Sequence, residues 1–74
     1  MSMKAQEVFG KKIRFYRMKQ GMSQEELAFK AGLDRTYIAS VENGKRNISI
    51  ETIHKFLKAL EVTFSEFFSD ITEL

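Results

Sequence analysis

Only three residues, Gly32-Leu33-Asp34, separate two amphipathic segments. So short a joint forces a sharp corner between two helices. Before it, SQEE at 23–26 forms a capping box, Ser23 to Glu26, opening a helix that buries Leu27, Ala28 and Ala31. After it, Asp34 can cap a helix whose inward residues are Ile38 and Val41. Two helices crossing this closely need a small side chain on the first, a turn-permitting residue between them, and branched apolar residues on the second. Ala28, Gly32, Ile38 and Val41 supply these in order. The pattern is a helix-turn-helix over residues 23–43.

The rest of the chain follows the same helical grammar. Phe9, Ile13 and Tyr16 give the i, i+4, i+7 stripe of a first helix, about residues 4–19. Ser49 can cap a fourth helix, with Ile50, Ile53, Leu57 and Leu60 expected on its inner face. Thr63 and Glu66 form a second capping box, opening a fifth helix over 63–72 that carries Phe64, Phe67, Phe68 and Ile71. Proline is absent, and Gly21, Gly32 and Gly44 each follow a helical segment, where a left-handed residue is expected. No alternating strand pattern, repeat or linker interrupts the series. The expected fold is all-α, a compact five-helix bundle forming a single domain over 1–74.

The second helix of the corner defines the functional reading. It is too short to persist alone, so it must be held from behind. With Ile38 and Val41 inward, Thr36, Ala39, Ser40 and Asn43 face outward, flanked by Arg35 and Tyr37. A helix held out in this way can enter a DNA major groove. Arg35 is forked and cationic, suited to the O6 and N7 acceptors of guanine, and Thr36, Tyr37 and Ser40 complete the expected base-contact set. The free N–H groups at the leading end are also attractive to phosphate. Gln24, Asn43, Lys45, Arg46 and Asn47 are the expected backbone contacts, which position the protein without reading sequence.

Charge agrees with this polarity. All 12 basic side chains lie in residues 1–60 with six acidic ones, whereas residues 61–74 carry Glu61, Glu66, Asp70 and Glu73 and no base. One end suits a polyanion and the other does not. Cysteine is absent, which excludes disulfides, thiolate metal sites and a thiol nucleophile. The single histidine, His54, is expected to be solvated, and no glycine-rich phosphate loop or metal-ligand cluster appears. No enzyme activity, cofactor or small-molecule ligand is expected. The start MSMKAQEVF has no apolar run of secretory type, and no stretch approaches the ~20 apolar residues of a membrane span, so a cytoplasmic protein is expected.

The stretch from Ile13 to Leu60 resembles the Cro/CI-type helix-turn-helix family of phage repressors. Within it, LDRTYI followed by ENGKRN is similar to the controller proteins of restriction–modification systems. The resemblance implies a homodimer on a pseudo-palindromic double-stranded operator, regulating its own gene and the linked endonuclease gene. Phage-type repressors, antitoxin-like autorepressors and helix-turn-helix protein adaptors are the alternatives. The resemblance also implies that Arg17 and Glu42 form a structural ion pair tying the first helix to the end of the third. It further implies that Glu25 lies where phage-type activators touch RNA polymerase. Phe29 departs from the family, which usually has a polar residue there; it is expected to lie under a neighbouring side chain, with a partner surface as the alternative.

The last segment, TFSEFFSDITEL, has more apolar area than a short terminal helix needs. Phe67 and part of Phe64 are expected to fill the core. Phe68 and Ile71 then lie at the edge, where leaving them wet forfeits roughly 1.5–3 kcal/mol per side chain. Phe64, Phe68 and Ile71 are therefore the expected contacts of an isologous dimer.

Overall fold

A computed structural model describes residues 4–69. Five helices make up these residues, with no strand among them: α1 (Ala5–Lys19), α2 (Gln24–Ala31), α3 (Arg35–Glu42), α4 (Ile50–Leu60) and α5 (Phe64–Phe68). The local signals explain where they start. Ser23 Oγ accepts from the Glu26 N–H, and Glu26 Oε1 accepts from the Ser23 N–H, closing the box at α2. Thr63 and Glu66 close a second box at α5, while Asp34 accepts from the Thr36 N–H at α3 and Ser49 from the Thr52 N–H at α4. Each cap satisfies a backbone donor that a helix start would otherwise leave without a partner.

The corner between α2 and α3 closes through Gly32, at φ +68, with the Leu33 N–H donating to the Ala28 carbonyl. α1 and α2 both pack on α3, and α4 packs behind α2. Phe9, Ile13, Leu27, Ile38, Val41, Phe56, Leu60 and Phe67 are buried at their junction. Phe67 joins the far end to this core, with its ring 5.4 Å from Phe9 and 5.5 Å from Tyr16.

Gly10 is the closest helix–helix approach. A Cβ there would stand 2.1 Å from the Val41 carbonyl oxygen, so α1 can pass over the end of α3 only with a bare backbone. Gly44 has the complementary role: at φ +72 it reverses the chain after α3, and its Cα face lies against Glu7. Together these two glycines seat the recognition element on α1.

Three inner-face expectations need correction. Ile50 is 71% exposed, because the buried stripe of α4 runs through Phe56, Leu57, Ala59 and Leu60. Phe64 is 43% exposed and contributes little to the core, while Phe68 is half-buried against Phe9 and Phe67. Phe29 is 89% exposed and lies under nothing, since α2 buries only its Leu27, Ala28 and Ala31 side. The expected extension of α5 to residue 72, and with it Ile71, lies outside the described residues.

Candidate nucleic-acid interface

α3 is held from behind by both oil and charge. Ile38 and Val41 are fully buried on its inner face. At its end, Glu42 is paired with Arg17 of α1 in a two-point contact, Nε to Oε2 at 2.6 Å and Nη2 to Oε1 at 3.0 Å. Both side chains are largely out of water, at 11% and 3% exposed. Arg17 Nη1 also donates to the Met22 carbonyl at 2.8 Å, which fixes the chain entering α2. The hydrogen bond to Glu42 raises the guanidinium pKa further above its ordinary value, against the opposing effect of burial.

Gln24 belongs to this network. Its Nε2 donates to Glu42 Oε1 at 3.2 Å. The side chain assigned from sequence to the DNA backbone therefore spends one of its two amide hydrogens inside the protein. The remaining hydrogen and the carbonyl oxygen are what it can offer outward.

The outward side of α3 holds the expected base readers close together. Arg35 and Thr36 are exposed, with Tyr37, Ala39 and Ser40 half-buried beside them. Arg35 has no hydrogen bond or ion pair among the described residues, so its five donors are free. The two hydroxyls are less free than expected. Thr36 Oγ1 donates to Asp34 Oδ1 at 2.6 Å, and Ser40 Oγ donates to the Thr36 carbonyl at 3.1 Å. Both therefore present acceptor lone pairs, which suit the amino groups of cytosine or adenine.

The start of α3 also differs from expectation. Asp34 Oδ1 accepts from the Thr36 hydroxyl and, at 2.8 Å, from the Thr36 N–H, and these two bonds hold its carboxyl pKa below the ordinary value. An anion already occupies the helix start, so it repels phosphate instead of attracting it. The Thr36 N–H is therefore not free for phosphate, as the sequence alone would suggest.

Beyond α3, Asn43, Lys45, Arg46 and Asn47 are all exposed. Arg46 lays its guanidinium over the Tyr37 ring, 5.4 Å from the centroid, which joins the loop to the helix face. Asn47 Oδ1 accepts from Gln6 Nε2 at 2.8 Å. Sequence reasoning passed over Gln6, whose position early in α1 gives no local sign of a partner 41 residues away. Glu25 is exposed on α2, on the rim that also bears Phe29 and Lys30.

Among the described residues no cluster of ligand-type side chains could hold a metal, and no helix is long and apolar enough to cross a membrane. His54 is exposed.

A family model described as helix-turn-helix matches residues 13–67. The control protein C.MunI of a Mycoplasma species is 48% identical over 64 residues, covering 85% of this chain and 86% of that protein. The control protein C.BamHI of Bacillus amyloliquefaciens is 52% identical over 56 residues, covering 74% of this chain and 69% of its own. The crystal structure of the restriction–modification controller protein C.AhdI from Aeromonas hydrophila superposes with a TM-score of 0.81 at 44% identity, covering 85% of this chain and 96% of that one. The controller C.Esp1396I, as a tetramer in complex with its natural 35 base-pair operator, gives 0.85 at 37% identity, covering 92% and 90%.

Proposed function

Given that the chain belongs to the helix-turn-helix family, and within it to the control proteins of restriction–modification systems, we propose that it is a sequence-specific DNA-binding transcription regulator. It acts in the cytoplasm as a homodimer on a pseudo-palindromic operator and adjusts transcription of its own gene and of the linked endonuclease gene. It is not an enzyme. One observation carries this reading beyond the relationship itself: Arg35, unpaired among the described residues, and the Arg46–Tyr37 stack lie on the outer side of a helix whose inner side is locked by Ile38, Val41 and the Arg17–Glu42 pair. A mobile helix would lose contact energy to ordering, and this one is ordered before DNA arrives.

Arg35 reads a guanine, with Thr36, Tyr37 and Ser40 as neighbouring base contacts. Lys45, Arg46, Asn43 and Asn47 meet phosphates, and Gln24 supplies one amide hydrogen at the start of α2. The dimer forms through Phe64 and Phe68, joined by exposed Ile50, which lies one helical turn before Ile53 on α4. Ile53 and Phe68 line the same shallow groove, which carries the apolar surface from α5 to α4. A two-fold dimer of this kind sets its recognition helices about 34 Å apart, one turn of the duplex.

The test is a binding titration with the DNA upstream of the protein's own gene against a scrambled duplex. Specific binding at least about a thousandfold tighter than to the scrambled duplex is expected, with affinity falling steeply as salt rises. Equal affinity for both duplexes would overturn the reading.

A further inference from the structure

Gln6 lies on α1, outside the helix-turn-helix, yet it is bonded to a residue proposed above to meet phosphate. Its Nε2 donates to Asn47 Oδ1 at 2.8 Å. One turn along α1, Gly10 lies against the Val41 and Glu42 carbonyls, and between them Glu7 packs under Gly44. The first two turns of α1 thus form a continuous bed under residues 41–47. Gln6 and Asn47 also line one groove of about 330 Å³ with Arg46 and Phe9.

Resting on the DNA-binding reading, we propose that Gln6 is a positioning residue for operator binding, acting through Asn47. An asparagine amide has two unlike faces, an oxygen that accepts and a nitrogen that donates. A phosphate oxygen takes hydrogen bonds only from donors, so an Asn47 turned the wrong way presents its carbonyl to a like-charged surface. Nothing local fixes this choice, because Asn47 is exposed and lies in a loop between α3 and α4. The Gln6 bond sets it here: with Oδ1 taken by Gln6 Nε2, the NH2 group is the face of the Asn47 amide left to donate, in the loop that also carries Lys45 and Arg46. The bond also removes rotamer freedom from Asn47 before DNA arrives, so less ordering remains for the complex. Gln6 therefore contributes to affinity without touching DNA.

The experiment is a double-mutant cycle on the full chain, with operator affinity as the readout. Gln6→Met keeps the length of the side chain and removes its donor without adding charge. It is expected to weaken operator binding about three- to tenfold, and to lower the magnitude of the salt slope by a fraction of one phosphate contact. In an Asn47→Ala background the same Gln6→Met change is expected to have no further effect. Gln6→Lys, which restores a donor, is measured against Gln6→Met in both backgrounds. Its gain from added charge alone appears in both, so a larger gain with Asn47 present is expected. Thermal unfolding of each variant reports whether the bed itself is intact. An undiminished Gln6→Met affinity overturns the inference, as does an equal loss in both backgrounds. Wild-type protein that fails to discriminate operator from scrambled DNA would instead overturn the DNA-binding reading itself.

Discussion

Glu42 has three hydrogen bonds from two side chains and almost no access to water. Removing it leaves the Arg17 guanidinium buried without its counter-charge. Glu42→Ala is therefore expected to destabilise the domain by about 3–5 kcal/mol, against a shift within about 0.5 kcal/mol for exposed Glu51→Ala. Thermal or urea unfolding decides between them, and equal midpoints would contradict a structural role for the pair. Arg35 is the opposite case, an exposed charge with no intramolecular partner among the described residues. Arg35→Ala should leave unfolding unchanged, cost about 1–3 kcal/mol of operator binding per half-site and relax the preference at one base pair. Arg46→Ala should instead weaken all sequences alike and flatten the salt slope. A base-pair selectivity profile separates the two, and an unchanged profile for Arg35→Ala would remove it from the base-reading set.

At the scale of the helix, starts and ends have different chemistry. Three of the carboxylates at helix starts, Glu26, Asp34 and Glu66, have pKa values lowered by hydrogen bonds, from the Ser23 backbone, the Thr36 side chain and the Thr63 backbone first. Groups with depressed folded pKa values stabilise the fold above their ordinary values, and that stability is lost as pH falls through the folded ones. Thermal midpoints should therefore start to drop as pH falls below the ordinary glutamate value of 4.5. Glu26→Gln, which cannot ionise, should show a shallower drop, and an identical pH profile would show that the box is not responsible. The end of α4 is less well served. Glu61 adopts φ 56, a left-handed conformation that suits glycine, while its N–H closes the helix on the Lys58 carbonyl. Glu61→Gly is expected to be neutral or to stabilise by up to about 1 kcal/mol, read from the unfolding midpoint. Gly10→Ala should behave in the opposite sense. Helix propensity alone favours alanine by about 1 kcal/mol, but the Val41 carbonyl stands where the methyl would go. A stabilised Gly10→Ala protein would mean that α1 and α3 can part without loss.

For the whole molecule, the polar arrangement matters most. Arg35, Lys45 and Arg46 lie at the α3 end, while the apolar side chains proposed for self-association lie on α4 and α5. Ile50 is the cleaner probe of that association, because Phe68 also packs on Phe9 and Phe67. Ile50→Asp should give a folded protein, monomeric by sedimentation at tens of micromolar, with much weakened operator binding. A fully dimeric Ile50→Asp protein would exclude this face.

Helix starts were legible in the sequence because a cap is made by residues three apart, as Ser23 with Glu26 and Thr63 with Glu66. The α2–α3 corner was legible for a similar reason, since Ala28, Gly32 and Asp34 lie within one short run. So was the outward set of α3, which follows once Ile38 and Val41 turn inward. Helical periodicity, however, gives only the faces of a helix and not which neighbours cover them. Phe29 and Phe64 were therefore assigned too much burial, and Ile50 was placed inside when α4 in fact buries Phe56. The hydrogen bonds that engage Gln24 and Asn47, with Glu42 and Gln6, span 18 and 41 residues. Polar partners so far apart are brought together by packing alone, and tertiary structure alone decided them.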